Sequence, residues 1–165
     1  MGRNRRAALL LAGIVCMAGC QPVADLNMPM APPSAAPLPQ VRIQMRDVDE
    51  QGRAGTTRLT DENGQPLAVL EPAFITTADV ESVALDVDLH RGAPVLTLTM
   101  KDASASRIHA ATEARVGRRV AFSVGDRVLS VATIQGPFGK GMQVSGLVDP
   151  DQAQRMYTEI TGKTP

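Results

Sequence analysis

Hydrophobic and polar residues alternate with a period of two through much of this chain, the pattern of strands that have one covered face. Leu85, Val87 and Leu89 alternate with Asp86, Asp88 and His90. After a turn at Arg91-Gly92-Ala93-Pro94 the series resumes as Leu96, Leu98 and Met100 against Thr97 and Thr99. A hairpin pairing Leu89 with Leu96 sets Val87 opposite Leu98 and Leu85 opposite Met100, with every large apolar side chain on one face; a one-residue slip would bury the aspartates. Val120, Phe122 and Val124 then lead into Gly125-Asp126, a two-residue loop with Gly first as a type II′ turn requires, and Leu129 and Val131 follow. That register puts Phe122 against Leu129 and Val120 against Val131, and sends Ala121, Ser123, Val128 and Ser130 to the other side. Val41, Ile43 and Met45 alternate with Arg42, Gln44 and Arg46 as a further strand, and Leu67 to Ile75 and Met142 to Val148 read as two more. Asp47 to Gln65 is polar, with a turn at Asn63-Gly64, and one short helical turn is expected within Thr76 to Val83.

The period lengthens in two places. Asp102 or Ser104 can cap a helix running to about Val116, with Ala105, Ile108, Thr112 and Val116 at helical spacing and Gly117 as its stop. Asp149-Pro150 is a second helix start, followed by an apolar stripe of Ala153, Met156, Tyr157 and Ile160. These elements predict an α+β fold, a two-layer sandwich of an antiparallel sheet with both helices on one face.

The N-terminus follows a different logic. Arg3, Arg5 and Arg6, an apolar run from Ala7 to Val15, and Met17-Ala18-Gly19 before Cys20 make up a lipoprotein leader, which predicts cleavage after residue 19 and lipidation of Cys20. The run to Ala18 is shorter than the ~20 residues that span a bilayer. Residues 20–40 then read as lipidated terminus and linker, with Pro22, Pro29, Pro32, Pro33, Pro37 and Pro39 favouring an extended spacer. A single domain is expected over 41–165. Gln21 after the cysteine resembles outer-membrane sorting more than inner-membrane retention, so the expected location is the bacterial envelope, facing the periplasm.

Composition narrows the function. Cleavage removes three of the 17 basic residues and none of the 17 acidic ones, so no large basic surface for nucleic acid remains. Of two cysteines, Cys16 leaves with the leader and Cys20 carries lipid, so no disulfide is expected. With no Trp, one Tyr and three Phe, the core must be aliphatic and a base-stacking platform is excluded.

No catalytic constellation is present, and neither an enzyme, a metal nor a cofactor is expected. Asp86, Asp88 and His90 lie about 7 Å apart along one strand face, a spacing that suits a divalent cation but equally the solvent face of a half-covered sheet. Met28 and Met30 read as plain linker, and Ser104, Ser106 and His109 as surface helix without an oxyanion site. The loop Gly136-Pro137-Phe138-Gly139-Lys140-Gly141 holds one of the few aromatics. It is either a wide strand connection whose Phe caps the core or a peptide-contact loop, with Gly136, Phe138, Gly139, Lys140 and Gly141 as the contact residues.

From Leu67 to about Ile160 the chain resembles the head subdomain of the first periplasmic domain of SecD and SecDF, membrane proteins that assist Sec-dependent export. The resemblance runs through Ala78-Asp79-Val80, Gly92 and Pro94, Ile108 and Thr112, Gly117-Arg118-Arg119-Val120-Ala121, Gly125-Asp126, Val128-Leu129-Ser130, Gly141, Val144-Ser145-Gly146 and Ala153. It implies the fold and a contact with unfolded or translocating polypeptide. It does not imply an energy-coupled motor, since the six transmembrane helices of that family have no counterpart here. Two functions stay open: a membrane-anchored polypeptide-binding module accessory to export, and a structural or partner-binding envelope lipoprotein that reuses the fold without an export role.

Overall fold

The computed structural model describes residues 32–53, 55–61, 63–147 and 149–165. In chain order the elements are β1 (Ser34–Ala35), β2 (Ile43–Asp47), β3 (Thr56–Thr60), β4 (Pro66–Leu70), β5 (Ile75–Thr76), a 3-10 turn (Thr77–Asp79), β6 (Val80–Asp88), β7 (Ala93–Met100), α1 (Asp102–Glu113), β8 (Arg119–Val124), β9 (Arg127–Thr133), β10 (Gly141–Val144) and α2 (Pro150–Thr161). The α+β sandwich class holds, with the strands divided between two sheets rather than gathered in one. The first has the order β1-β6-β7-β10 and the second β4-β3-β9-β8-β2-β5. All pairings are antiparallel except a single parallel contact of β3 with β9 at Thr60 and Arg127.

The larger core joins both sheets and both helices. Val83, Leu96, Leu98 and Met100 of the first sheet, Ile43, Met45, Val120 and Phe122 of the second, Ile108 of α1 and the stripe Ala153, Met156, Tyr157 and Ile160 of α2 all belong to it. A second, smaller core of Leu59, Val69, Ala121 and Val128 lies on the other side of β8. It exists because the β3–β4 hairpin folds over that face. A bridge between Val48 and Val69 holds one end of the hairpin and the Thr60–Arg127 contact the other. The polar reading of Asp47 to Gln65 concealed β3, and the same hairpin buries Arg46, which the alternation had placed on a solvent face. Arg46 stands 3.0 Å from the Glu71 carboxylate and donates from Nη2 to Gln44 Oε1.

Both hairpin registers need correction. In the first, Leu85 opposes Leu96 and Val83 opposes Leu98, because the turn falls at residues 89–92 rather than at 91–94. Asp88 sets it: its carbonyl accepts from Gly92 N–H (2.7 Å), its Oδ1 accepts from His90 N–H (2.9 Å), and Gly92 takes φ 64°. The side-chain faces keep their parity, but Val87, near the end of β6, and Leu89, in the turn, are left exposed. In the second hairpin the Gly125-Asp126 loop stands as expected, and Val124 faces Arg127. A bulge then opens between Phe122 and Ser123, so that Phe122 opposes Ser130 and Ala121 opposes Val131. Leu129 is the extra residue. Val131 therefore packs with the small core instead of facing Val120.

The second helix follows its caps, whereas neither expected cap serves α1: Lys101 holds the cap position without a side-chain bond, Asp102 pairs with Lys140 and Ser104 with Asp79. Asp149 Oδ1 accepts from Asp151 N–H at 3.0 Å, Pro150 takes the first position, and Gly162 ends α2 at φ 68°. The first helix stops at Glu113, short of Val116, which is half exposed. Its near end is stapled to the 3-10 turn by Asp79, which accepts from Thr76 N–H, Ser104 Oγ and Arg107 Nη2. At the edge of the first sheet, β1 lies within the expected spacer. Ser34 and Ala35 pair with Ala84 and Val83, and Leu38 N–H donates to Ile160 O at 2.8 Å.

Phe122→Ala should cost roughly 3 to 5 kcal/mol, the range for truncating a large core aromatic. Ser123→Ala, its neighbour, should be neutral or stabilising, because the buried Ser123 hydroxyl has no hydrogen-bond partner. Urea melts of the two variants check the face assignment along β8.

Asp79→Asn should destabilise by about 1 to 3 kcal/mol through loss of charge-assisted bonds. Burial alone would raise the Asp79 carboxyl, but the bonds from Arg107, Thr76 and Ser104 outweigh it and hold it below the ordinary range. Its contribution is then complete above the unfolded-state pKa of about 4 and lost as pH falls through the lower folded value. The gap between wild type and variant should narrow from pH 7 to pH 3 in the same melts.

Candidate functional site

Between the end of β10 and the exposed part of the β8–β9 face lies a cleft of about 410 Å³. Its floor is made by Met45 of β2 and by Val120 and Phe122 of β8, one side by Ser130 and Ala132 of β9, and the other by Met142 and Val144 of β10. Pro137 and Phe138 contribute from the connecting loop. The bulge at Leu129 creates this space. Without it Val131 would share the face of Val120, whereas with it the small residues Ser130 and Ala132 stand there. Among the described residues no charged side chain lines the cleft.

One wall offers backbone as well as side chains. Met100 N–H donates to Lys140 O at 2.7 Å, so Lys140–Met100 is a hydrogen-bonded pair of the antiparallel ladder. Bonded pairs recur every second residue, at Met142–Leu98 and Val144–Leu96. Gly141 and Gln143 consequently turn their N–H and C=O groups away from β7, toward the side on which β10 has no neighbouring strand among the described residues.

The loop singled out in the sequence forms the end of this cleft. Phe138 is half-buried and packs against the larger core while also lining the cleft, so both the core-capping and the cleft-facing placements describe the same ring. Its N–H donates to Thr112 Oγ1 at 2.8 Å. Lys140 reaches back to Asp102 (2.8 Å) and Glu81 (3.8 Å), and the Asp102 hydrogen bond holds its ammonium above the usual lysine range. Gly136, Gly139 and Gly141 border the cleft beside them.

The other sequence candidates are engaged elsewhere. Asp86 Oδ1 accepts from Val87 N–H within β6 and Asp88 Oδ1 from His90 N–H, so the first carboxylate serves the strand and the second the turn. Among the described residues, no group of three or more potential ligands is placed to hold a metal ion. Ser104 is tied to Asp79, while Ser106 and His109 sit on the exposed face of α1. Cys20, Met28 and Met30 lie outside the described residues. No described helix is long and apolar enough to cross a membrane. Met45, Ser130, Ala132, Met142 and Gln143 had no signature in the sequence, because a bulge and a second sheet assemble them. Thr112 did carry one: it is the polar member of an otherwise apolar helical stripe.

The fold is similar to that of solved SecDF structures. A structure described as a membrane component SecDF that enhances protein export matches with a TM-score of 0.56 and 20% identity, over 76% of this chain and 65% of that one. A crystal structure of SecDF in its super-membrane-facing form matches with a TM-score of 0.54 and 20% identity, over 68% of this chain and 17% of that one. The chain thus spans less than two thirds of either relative. A comparison with curated protein sequences returns no match. The sequence model for the SecDF P1 head subdomain covers residues 40–162, most of the chain and all of the cleft. On that match the chain belongs to the SecDF P1 head subdomain family.

Proposed function

We propose that this chain is a lipid-anchored, periplasm-facing module of the bacterial envelope that holds unfolded or translocating polypeptide in the cleft, as an accessory to Sec-dependent export. One observation carries the reading: an uncharged, largely apolar cleft lies beside a bare strand edge in a SecDF head fold. An extended chain has unpaired N–H and C=O groups that match those of Gly141 and Gln143, and its alternate side chains would fall toward the cleft. Main-chain pairing is indifferent to sequence. Met45 and Met142 supply flexible, polarizable contacts that adapt to different apolar side chains. The similarity to a structure described as a membrane component that enhances protein export supports this reading.

The anchor is the second half of the proposal. Lipidated Cys20 would tether the domain through the spacer, with outer-membrane sorting favoured by Gln21. Cys20→Ala should release the protein from membrane fractions or leave it as unprocessed precursor, because acyl chains contribute ~0.8 kcal/mol per buried CH₂. Normal processing with retention in the membrane pellet would exclude lipidation.

For the cleft, a photoreactive residue replacing Gln143 should crosslink to many unfolded envelope proteins. Ser130→Leu, which fills the cleft from a half-buried position, should reduce that crosslinking severalfold while shifting stability by less than about 1 kcal/mol. Crosslinking to one folded partner would favour the alternative of an envelope lipoprotein without an export role.

A further inference from the structure

We propose that residues 136–139 form a two-position lid over the cleft, latched shut by the bond from Phe138 N–H to Thr112 Oγ1, and that opening admits an apolar side chain of bound polypeptide to the seat Phe138 vacates. The lid deepens the polypeptide reading and rests on it for its ligand, though its motion can be measured without one.

Four observations carry it. Gly136 and Gly139 lie outside the left-handed region, and a Cβ on either would meet nothing within 4 Å. Alanine would therefore fit both positions, unlike Gly125 (φ 60°) or Gly117 (φ 82°), where the turn itself demands glycine. What glycine adds at 136 and 139 is freedom to change conformation. Next, the ends of the segment are fixed while its middle is not. Ile134 N–H donates to Arg118 O, its carbonyl accepts from Gly117 N–H, and Lys140 O accepts from Met100 N–H. Between these anchors, Phe138 N–H has, among the described residues, a single partner, Thr112 Oγ1.

Third, Thr112 is fully buried, and its hydroxyl also donates to Ile108 O at 2.8 Å. Position 112 faces the core, where valine would pack equally well, so the hydroxyl serves the loop. Last, Phe138 has room on two sides. The cleft lies on one; on the other is a separate hollow of about 350 Å³ formed with Ala105, Ser106, His109 and Lys140 along α1. A ring hinged at two glycines can turn from the first to the second.

Two measurements on the full chain decide it: amide hydrogen exchange read by NMR, and stopped-flow association with fluorescein-labelled, reduced and carboxymethylated lactalbumin. Thr112→Val keeps the side-chain shape but removes the acceptor. It should speed exchange at Phe138 by about tenfold with α2 amides unchanged, and should quicken association, since a larger fraction of molecules is open. Thr112→Ser retains the hydroxyl and should behave as wild type. Gly136→Ala with Gly139→Ala should slow both processes at an equal or higher Tm. The lid is overturned if Thr112→Val speeds exchange throughout α1 and α2 as much as at Phe138, or if the glycine substitutions alter neither exchange nor association. Wild-type protein that ignores the probe would refute polypeptide binding, while the exchange data would still decide whether the loop is a lid.

Discussion

A single extra residue in β9 sets the architecture around the cleft. β8 is covered on both faces, so its apolar side chains enter one core or the other: Val120, Phe122 and Val124 the larger, Ala121 the smaller. The partner strand must divide in the same way, and regular alternation would send Val131 to the Val120 face. With Leu129 bulged out, two residues of β9 oppose one of β8, and parity reverses beyond that point. Leu129 still enters the larger core, while Val131 joins the smaller. Ser130 and Ala132 are left on the Phe122 face, too small to fill it. The cavity is thus a consequence of register, and closing the bulge would refill it with valine.

The other wall depends on a chain of polar contacts that begins some distance away. Asp79 binds the 3-10 turn to Ser104 and Arg107 at the start of α1. Arg107 also donates to Phe74 O, which anchors the helix to the segment ahead of β5. A helix held at that end presents Ile108 and Thr112 inward at fixed positions, and Thr112 in turn receives the Phe138 amide. Because Arg107 is half exposed, its charge is screened, and the staple works chiefly through the several donors converging on one shielded carboxylate. Helix placement and loop placement are therefore linked through one rigid element.

Local chemistry was legible in the sequence wherever a single residue decides the outcome. Asp149-Pro150 and the stripe from Ala153 to Ile160 specified α2 almost to the residue, and Gly125-Asp126 specified its turn. The first hairpin shows where such reading stops. Alternation defines faces but not length, so the turn could slide by two residues on each strand without burying an aspartate, and only the bonds of Asp88 to Gly92 and His90 chose its place. β3 was hidden because Thr56 to Thr60 contains one large apolar residue, Leu59, which suffices to cover a small core yet makes no periodic signal. The cleft was illegible for a related reason: its residues come from four strands and a loop, and a bulge that no sequence pattern announces decides which of them face one another.

Exposed strand edges invite pairing, and folded proteins ordinarily blunt them. On the first sheet the two edges are treated differently. Along β6, Ser34 and Ala35 cover Val83 and Ala84, Leu38 ties the incoming chain to Ile160, and beyond β1 the Asp86 carboxylate occupies the Val87 amide. Across the sheet, β10 offers Gly141 and Gln143 with, among the described residues, no covering strand, no proline and no inward charge, directly beside the cleft. Covering the first edge reduces the chance that two copies pair through β6. On the proposed function, strand addition would then be left to the edge where apolar side chains have somewhere to go, so the segment that carries β1 would help define the face that accepts a chain.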